Sequence, residues 1–285
     1  MKQQDMKMYR PPRVVKARQL LSRLKRNALR HTNGYVQYLT LTGLTGILSN
    51  GRLHLSSSRR LNDLGETLNE NMYEASFAFG ESENIAMWCL YGVPNKEAVR
   101  AVYPFESIKE WVADVKDKKN LGVYSFSGRS GVYRRIEGKI KRVIFADVAY
   151  GTPKFAKHGY DFFRITDKEE SSAVILAGVL KDYAWSYENE VRLIIEFEQE
   201  LKTDTGHAVD IIAVDFNAPI EALQEGRGKL TLGPWAPGKC RGGKHLVAGR
   251  RMEFNESSFK GLIKCRCNDS IVAKRQAKVL KKRKG

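Results

Sequence analysis

Two carboxylates in Lys181-Asp-Tyr-Ala-Trp-Ser-Tyr-Glu-Asn-Glu-Val-Arg-Leu-Ile-Ile-Glu-Phe-Glu198 are the residues best placed for chemistry. Val191, Leu193, Ile195 and Phe197 alternate as one face of a strand, so Glu188, Glu190 and Arg192 project from the other. Glu188 and Glu190 thus share a face at the strand's beginning, beside Trp185 and Tyr187. A carboxylate held near aromatic rings can stabilise positive charge developing on a sugar carbon. The plainer reading is a solvated strand face carrying a Glu190/Arg192 pair.

Other polar groups have weaker claims. Asn62, Asp63 and Glu66 fall in a polar stretch, where they serve either as turn-capping side chains or as one wall of a cleft. Trp88 and Tyr91, three apart on an expected helix, are either core or a stacking platform. Gly233-Pro-Trp-Ala-Pro-Gly-Lys-Cys240 has the spacing of a phosphate loop, but two prolines remove amide donors and Cys240 replaces the magnesium-binding hydroxyl. Cys240, His245, Cys265 and Cys267 could supply four zinc ligands, yet Cys-x-Cys at strand spacing more often buries one thiol, so no metal is expected.

The elements that must position these groups are legible as periodicities. Val14, Ala17, Leu20, Leu21, Leu24 and Ala28 mark an amphipathic basic helix, broken at His31–Gly34. A strand over Tyr35–Thr40 and a helix over Thr42–Leu48, stopped at Asn50-Gly51, come next, with a short strand from Leu53. Ser76-Phe-Ala-Phe alternates as a strand, and Asn84 can cap a helix from Ile85 to Tyr91. Further strands are expected at Val99–Tyr103, Gly122–Phe126, Val132–Arg134, Lys141–Tyr150, Val191–Phe197 and Val209–Phe216. Helices are expected at Phe105–Lys116, Ser171–Leu180 and Pro219–Gln224. Gly226–Arg251 reads as a basic loop before a last strand near Leu262–Arg266. Strands outnumber helices without strict alternation, which favours an α+β fold. The domain plan is a basic helical segment over 1–34, an α+β core over 35–225, and a basic region over 226–285 packed on the same core.

Composition bounds the class. Of 285 residues, 42% are apolar, 28% charged and 10% aromatic, which excludes wholesale disorder and collagen-like or coiled-coil chains. The longest nearly apolar run, Ser172–Leu180, is about half of a bilayer span. With Cys89, Cys240, Cys265 and Cys267 as the only cysteines, a disulfide framework is not expected, and a cytoplasmic setting without a membrane partner is. The net charge of +17 is unevenly spread. Residues 1–30 hold ten Lys/Arg against Asp5, and residues 226–285 hold seventeen against Glu253, Glu256 and Asp269. The body between has 22 basic and 28 acidic residues. Clustered cations on a mildly acidic body point to a polyanion, RNA before DNA, with an acidic inhibitor protein as second choice.

The order of several segments resembles a widespread bacterial family of unknown function, catalogued under number 2971. Its pieces here are Tyr35-Val-Gln-Tyr-Leu-Thr, Gly43 to Ser58 with its Ile-Leu-Ser-Asn-Gly-Arg-Leu-His-Leu-Ser, and Leu61-Asn-Asp-Leu-Gly-Glu66. Later pieces are Ser76–Gly80, Met87–Gly92, Lys181–Trp185, Tyr187–Arg192 and Leu232-Gly-Pro234. That family is distantly similar to the ADP-ribosyltransferase superfamily. The resemblance implies a split two-sheet core with a cleft and NAD as substrate. It makes Glu190 the catalytic residue, with Glu188 its helper toward the acceptor. Tyr38, Thr40, Asn62, Trp88, Tyr91, Tyr187 and Arg192 become the candidate NAD contacts. The implied role is an intracellular toxin or phage-defence effector, modifying RNA and held in check by an antitoxin. The alternatives are a nucleic-acid-binding or nuclease-type effector without NAD chemistry, and a non-catalytic interaction module.

Overall fold

The computed structural model describes residues 13–15, 17–57, 59, 69–92, 98–117, 122–127, 132–151, 163–165, 178–236 and 242–259. In chain order the elements begin β1 (Arg13–Val15), α1 (Ala17–Ala28), β2 (Tyr35–Thr40), α2 (Leu41–Asn50), β3 (Arg52–Ser57), β4 (Met72–Phe79) and α3 (Ile85–Gly92). They continue with β5 (Ala98–Tyr103), α4 (Phe105–Asp117), β6 (Val123–Ser127), β7 (Val132–Arg135), β8 (Ile140–Asp147), β9 (Ala149–Gly151) and β10 (Phe163–Ile165). After β11 (Leu180–Asp182) and a 3-10 helix (Tyr183–Glu188) come β12 (Glu190–Phe197), β13 (Ile211–Asp215), α5 (Asn217–Gln224), β14 (Lys229–Leu232), β15 (Gly243–Val247) and β16 (Arg250–Glu256). This is an α+β fold, with one large mixed sheet and few helices.

Twelve strands form that sheet, and β4 is its junction. One edge of β4 pairs along its length with β12, from Met72↔Glu196 to Ala78↔Glu190, and β12 pairs in turn with β8. The other edge is shared. Its C-terminal end pairs with β2 and so leads to β5, β14, β16 and β15, while residues Tyr73 and Glu74 pair with β3 and lead to β13, β6 and β7. The resemblance implies two separate small sheets; the described strands instead make one sheet that forks into two wings. Two short parallel pairs, β1 with β10 and β9 with β11, stand outside it.

One face carries the main core. Val191, Leu193, Ile195 and Phe197 meet Tyr73, Ala75, Phe77 and Phe145 there, under α2, α4 and α5 through Leu44, Ile108, Trp111 and Ile220. The opposite face is covered at two places. Leu20, Leu21 and Leu24 of α1 pack on Met72, Ile144, Ala146 and Ile194, and Met87 and Trp88 of α3 pack on Val36, Tyr38 and Ala98. Leu20, Leu21, Leu24 and Ala28 of the expected apolar stripe are therefore core, whereas Val14, expected on the same helix, lies in β1. Burying three leucines contributes about 5–9 kcal/mol before chain entropy is set against it.

The C-terminal third differs from its sequence reading. The stretch expected to be a basic loop, Gly226–Arg251, holds β14, β15 and the first two residues of β16, all within the large sheet. Leu180, expected to end a helix, belongs to β11, and the last strand expected near Leu262–Arg266 lies outside the described residues.

Candidate functional site

Between the patches under α1 and α3, the second face is polar. Its residues come from adjacent strands in register. Arg192 lies opposite Ser76 and Glu190 opposite Ala78, so Glu190 meets Ser76, and Arg192 meets Glu74, on the diagonals of the β4/β12 ladder. The face expected to be solvated is buried: Glu190 is 4% exposed and Arg192 1%. The expected Glu190/Arg192 pair forms, but as an interior one.

Arg192 grips Glu190 with two donors, Nε to Oε1 at 2.7 Å and Nη2 to Oε2 at 3.2 Å. Its Nη1 donates to the carbonyl of Gly178 at 2.9 Å and lies 3.2 Å from Glu74 Oε2. Lys181, from β11, places Nζ 2.8 Å from Glu188 Oε2 and 3.2 Å from Glu190 Oε2. The Ser76 hydroxyl donates to Glu190 Oε1. Backbone geometry brings the two glutamates together: Asn189 between them has φ 46°, a left-handed conformation that Asn tolerates, and turns the chain from the 3-10 helix into β12. The Glu190 amide donates to the Tyr150 hydroxyl at 2.9 Å.

These contacts separate the two carboxyls. Burial pushes the Glu190 carboxyl up, but the Arg192 guanidinium, the Lys181 ammonium and the Ser76 hydroxyl outweigh it and hold it at about 2. For Glu188 burial wins over Lys181, and with Glu190 close by its carboxyl is raised. Lys181 is raised despite burial, held charged by Glu190 and Glu188. Among the described residues three carboxylates, Glu74, Glu188 and Glu190, face the cations Lys181 and Arg192. Ser76 is exposed, which brings solvent to the edge of this ionised, otherwise buried group. At the far end of β12, Glu196 is likewise paired, with Lys141 at 2.9 Å and with Arg142.

The other expected NAD contacts fall in different places. Tyr38 is buried; its ring meets Trp88 edge-on at 4.9 Å, and its hydroxyl accepts the Asn84 amide at 2.9 Å. Trp88 is fully buried, and its indole N–H donates to Glu83 Oε2 at 2.8 Å, so it is core rather than an open platform. Thr40 caps α2 by accepting the Gly43 amide at 3.0 Å. Tyr187 is half-buried beside Trp185 and the α3 patch, and so borders both the aromatic cluster and Glu188. Tyr91 lies in α3 with its side chain outside the described residues, as are Asn62, Asp63 and Glu66 altogether. The structure therefore unites Glu190, Glu188 and Arg192, adds Tyr187 at their edge, and places Tyr38 and Trp88 in the packing next door.

Sequence reasoning passed over Lys181, Glu74, Ser76 and Tyr150. The signal for two of them was present: Glu74 and Ser76 alternate with Tyr73, Ala75 and Phe77, so an acid and a hydroxyl had to share the face opposite the core. Glu83 was also passed over. It accepts from Trp88, from the Ser257 hydroxyl at 2.5 Å and from the Ser258 amide at 2.7 Å, and so ties the segment after β16 to α3. Among the described residues no cluster of His, Cys, Asp and Glu is arranged to hold a metal, and no helix is long and apolar enough to cross a membrane. Set against known proteins, the chain matches no family model, no curated protein and no solved structure.

Proposed function

We propose that the protein is an ADP-ribosyltransferase that cleaves NAD between nicotinamide and ribose, with Glu190 acting on the ribose. The observation that carries this reading is a carboxylate held ionised on the first residue of an interior strand, one hydroxyl away from solvent through Ser76. In the reaction the ribose–nitrogen bond breaks, and its electron pair leaves with nicotinamide. The sugar carbon gains positive character, which the ionised Glu190 carboxylate favours. An acceptor oxygen or nitrogen then forms the new bond and releases its proton. Glu188, whose raised carboxyl is the better base of the two, is the group to take it. The basic ends of the chain favour RNA as the acceptor and a bacterial toxin or phage-defence role.

One observation favours a catalytically silent module instead. Both Glu190 oxygens already have partners in Arg192, Lys181 and Ser76. Nicotinamide release from NAD separates the two readings. The transferase reading expects release by the wild type, faster with RNA present, and loss of more than about a hundredfold in Glu190→Gln. No release by the wild type, with RNA or protein acceptors, or full activity in Glu190→Gln, would leave the silent module.

A further inference from the structure

A second feature occupies the same end of the sheet as Glu190. A cavity of about 630 Å³ opens between the start of β2, the loop after β4, the end of β5, the first turn of α4 and the start of β14. That is the size of nucleotide-holding pockets. Its charged lining is Arg100, Arg227 and Lys229, against Glu81 and Glu106. Arg100 is only 5% exposed. Its Nη2 donates to the carbonyls of Gly80 and Glu81, each at 3.0 Å, whereas its buried Nε has no hydrogen-bond partner among the described residues. The guanidinium is thus fixed in the cavity wall, where its charge favours an anion in the cavity.

Main-chain groups add to the same preference. α4 begins on the cavity wall at Pro104, Phe105 and Glu106, so its first-turn amides, which have no intrahelical acceptors, lie at the cavity. Pro104, just before the helix, brings no capping side chain. Elsewhere in the lining two strands approach closely at glycine: a Cβ on Gly34 would come within 2.5 Å of the Tyr103 carbonyl oxygen, and one on Gly228 within 2.6 Å of that of Val102. Of the two acids, Glu106 is engaged with Lys109 at 3.7 Å. Arg227 is shared with Glu225 outside the lining, at 2.7 Å.

We propose that this cavity binds a nucleotide-borne phosphate, held by Arg100, Arg227, Lys229 and the amino end of α4. None of these residues belongs to the Glu190 cluster, so the site stands or falls apart from the transferase reading. Calorimetric titration of the full chain with inorganic pyrophosphate tests it. The expected result is binding by the wild type and by Glu190→Gln alike. Lys229→Gln should weaken it by about fivefold and Arg100→Lys, which replaces the planar guanidinium by a point charge, by about tenfold. Should Arg100→Lys fail to fold, the exposed Lys229→Gln and Arg227→Gln carry the test, with melting temperatures held to that of the wild type. No binding at millimolar pyrophosphate, or unchanged affinity in the folded variants, overturns the proposal. Competition by NAD, or by a short single-stranded RNA, supports it and identifies which phosphate the cavity holds. If pyrophosphate binds and neither competes, the nucleotide assignment is overturned.

Discussion

Replacing Glu190 by Gln changes one atom of the side chain and removes the centre of a buried charge cluster. The cost follows from the pairing. Held at about 2 rather than its ordinary 4.5, the Glu190 carboxyl stabilises the folded chain by about 3 kcal/mol once both states are ionised. The variant also leaves Arg192 and Lys181 facing a neutral amide, although Glu74, Glu188 and the Gly178 carbonyl still hold them. An uncompensated buried pair costs about 3–5 kcal/mol, so the remaining acids place the expected loss at the lower end, near about 3 kcal/mol. The pH dependence has a definite sign. Because the folded carboxyl is depressed, its contribution is complete above about 4.5 and fades as the pH falls toward about 2. Urea unfolding of both proteins at pH 7, 5 and 3.5 should therefore show a gap of about 3 kcal/mol at the first two values. At the third the gap should be smaller by about 1 kcal/mol. A variant as stable as the wild type at pH 7, or a gap that widens on acidification, would refute the electrostatic account of the cluster.

Four further outcomes are expected. Leu20→Ala, which hollows the patch under α1, should cost about 2–5 kcal/mol in the same urea assay, whereas truncating the exposed Arg18 should cost under about 0.5 kcal/mol. Glu83→Gln weakens three hydrogen bonds to Trp88, Ser257 and Ser258. It should lower stability by about 1–2 kcal/mol and speed proteolysis of the C-terminal region. Asn84→Ala removes the cap over the Ala86 and Met87 amides and the bond to the Tyr187 carbonyl, for about 1–2 kcal/mol measured by thermal unfolding. Deleting residues 274–285, which hold seven Lys/Arg and no acid, should flatten the slope of log affinity for single-stranded RNA against log salt by up to about 5, and an unchanged slope would move the argument to an acidic protein partner.

Where structure follows from neighbours in sequence, the chain is readable. α2 ends where Asn50-Gly51 says it should, because Gly51 takes φ 68° and returns its amide to the Ile47 carbonyl at 2.9 Å. Asn84 caps α3 as its position suggests, accepting the Ala86 amide at 2.9 Å. The alternation in β12 assigns its two faces, but not what lies over the second. Whether Glu190 meets water or an interior depends on Tyr150, Lys181 and the rest of the Gly178–Glu188 stretch, which reach it through tertiary packing rather than local pattern. The β15/β16 hairpin was hidden for a different reason. Its two-residue turn is Ala248-Gly249, both at positive φ (51° and 77°), so the usual Asn or Asp signal is missing. Frequent glycine and basic residues around it also mask the buried alternation of Met252 and Phe254.

The fork at β4 explains why the polar groups collect at one end of the sheet. β4 has β12 along one edge and β2 beside the end of the other, so its last residues bring the chain out between the Glu190 cluster and the strands that frame the cavity. The loop that follows then serves both. The Gly80 and Glu81 carbonyls hold Arg100 in the cavity wall, and three residues on, Asn84 holds the Tyr187 carbonyl next to Glu188. At about 4.8 Å per strand, β12 and β5, which carries Arg100, stand about 14 Å apart across β4 and β2, so one phosphate does not reach both. Both sites therefore depend on the Gly80–Asn84 loop holding its shape. The Asn84 cap, the two carbonyl contacts to Arg100 and the Glu83 bonds to Trp88, Ser257 and Ser258 supply that hold.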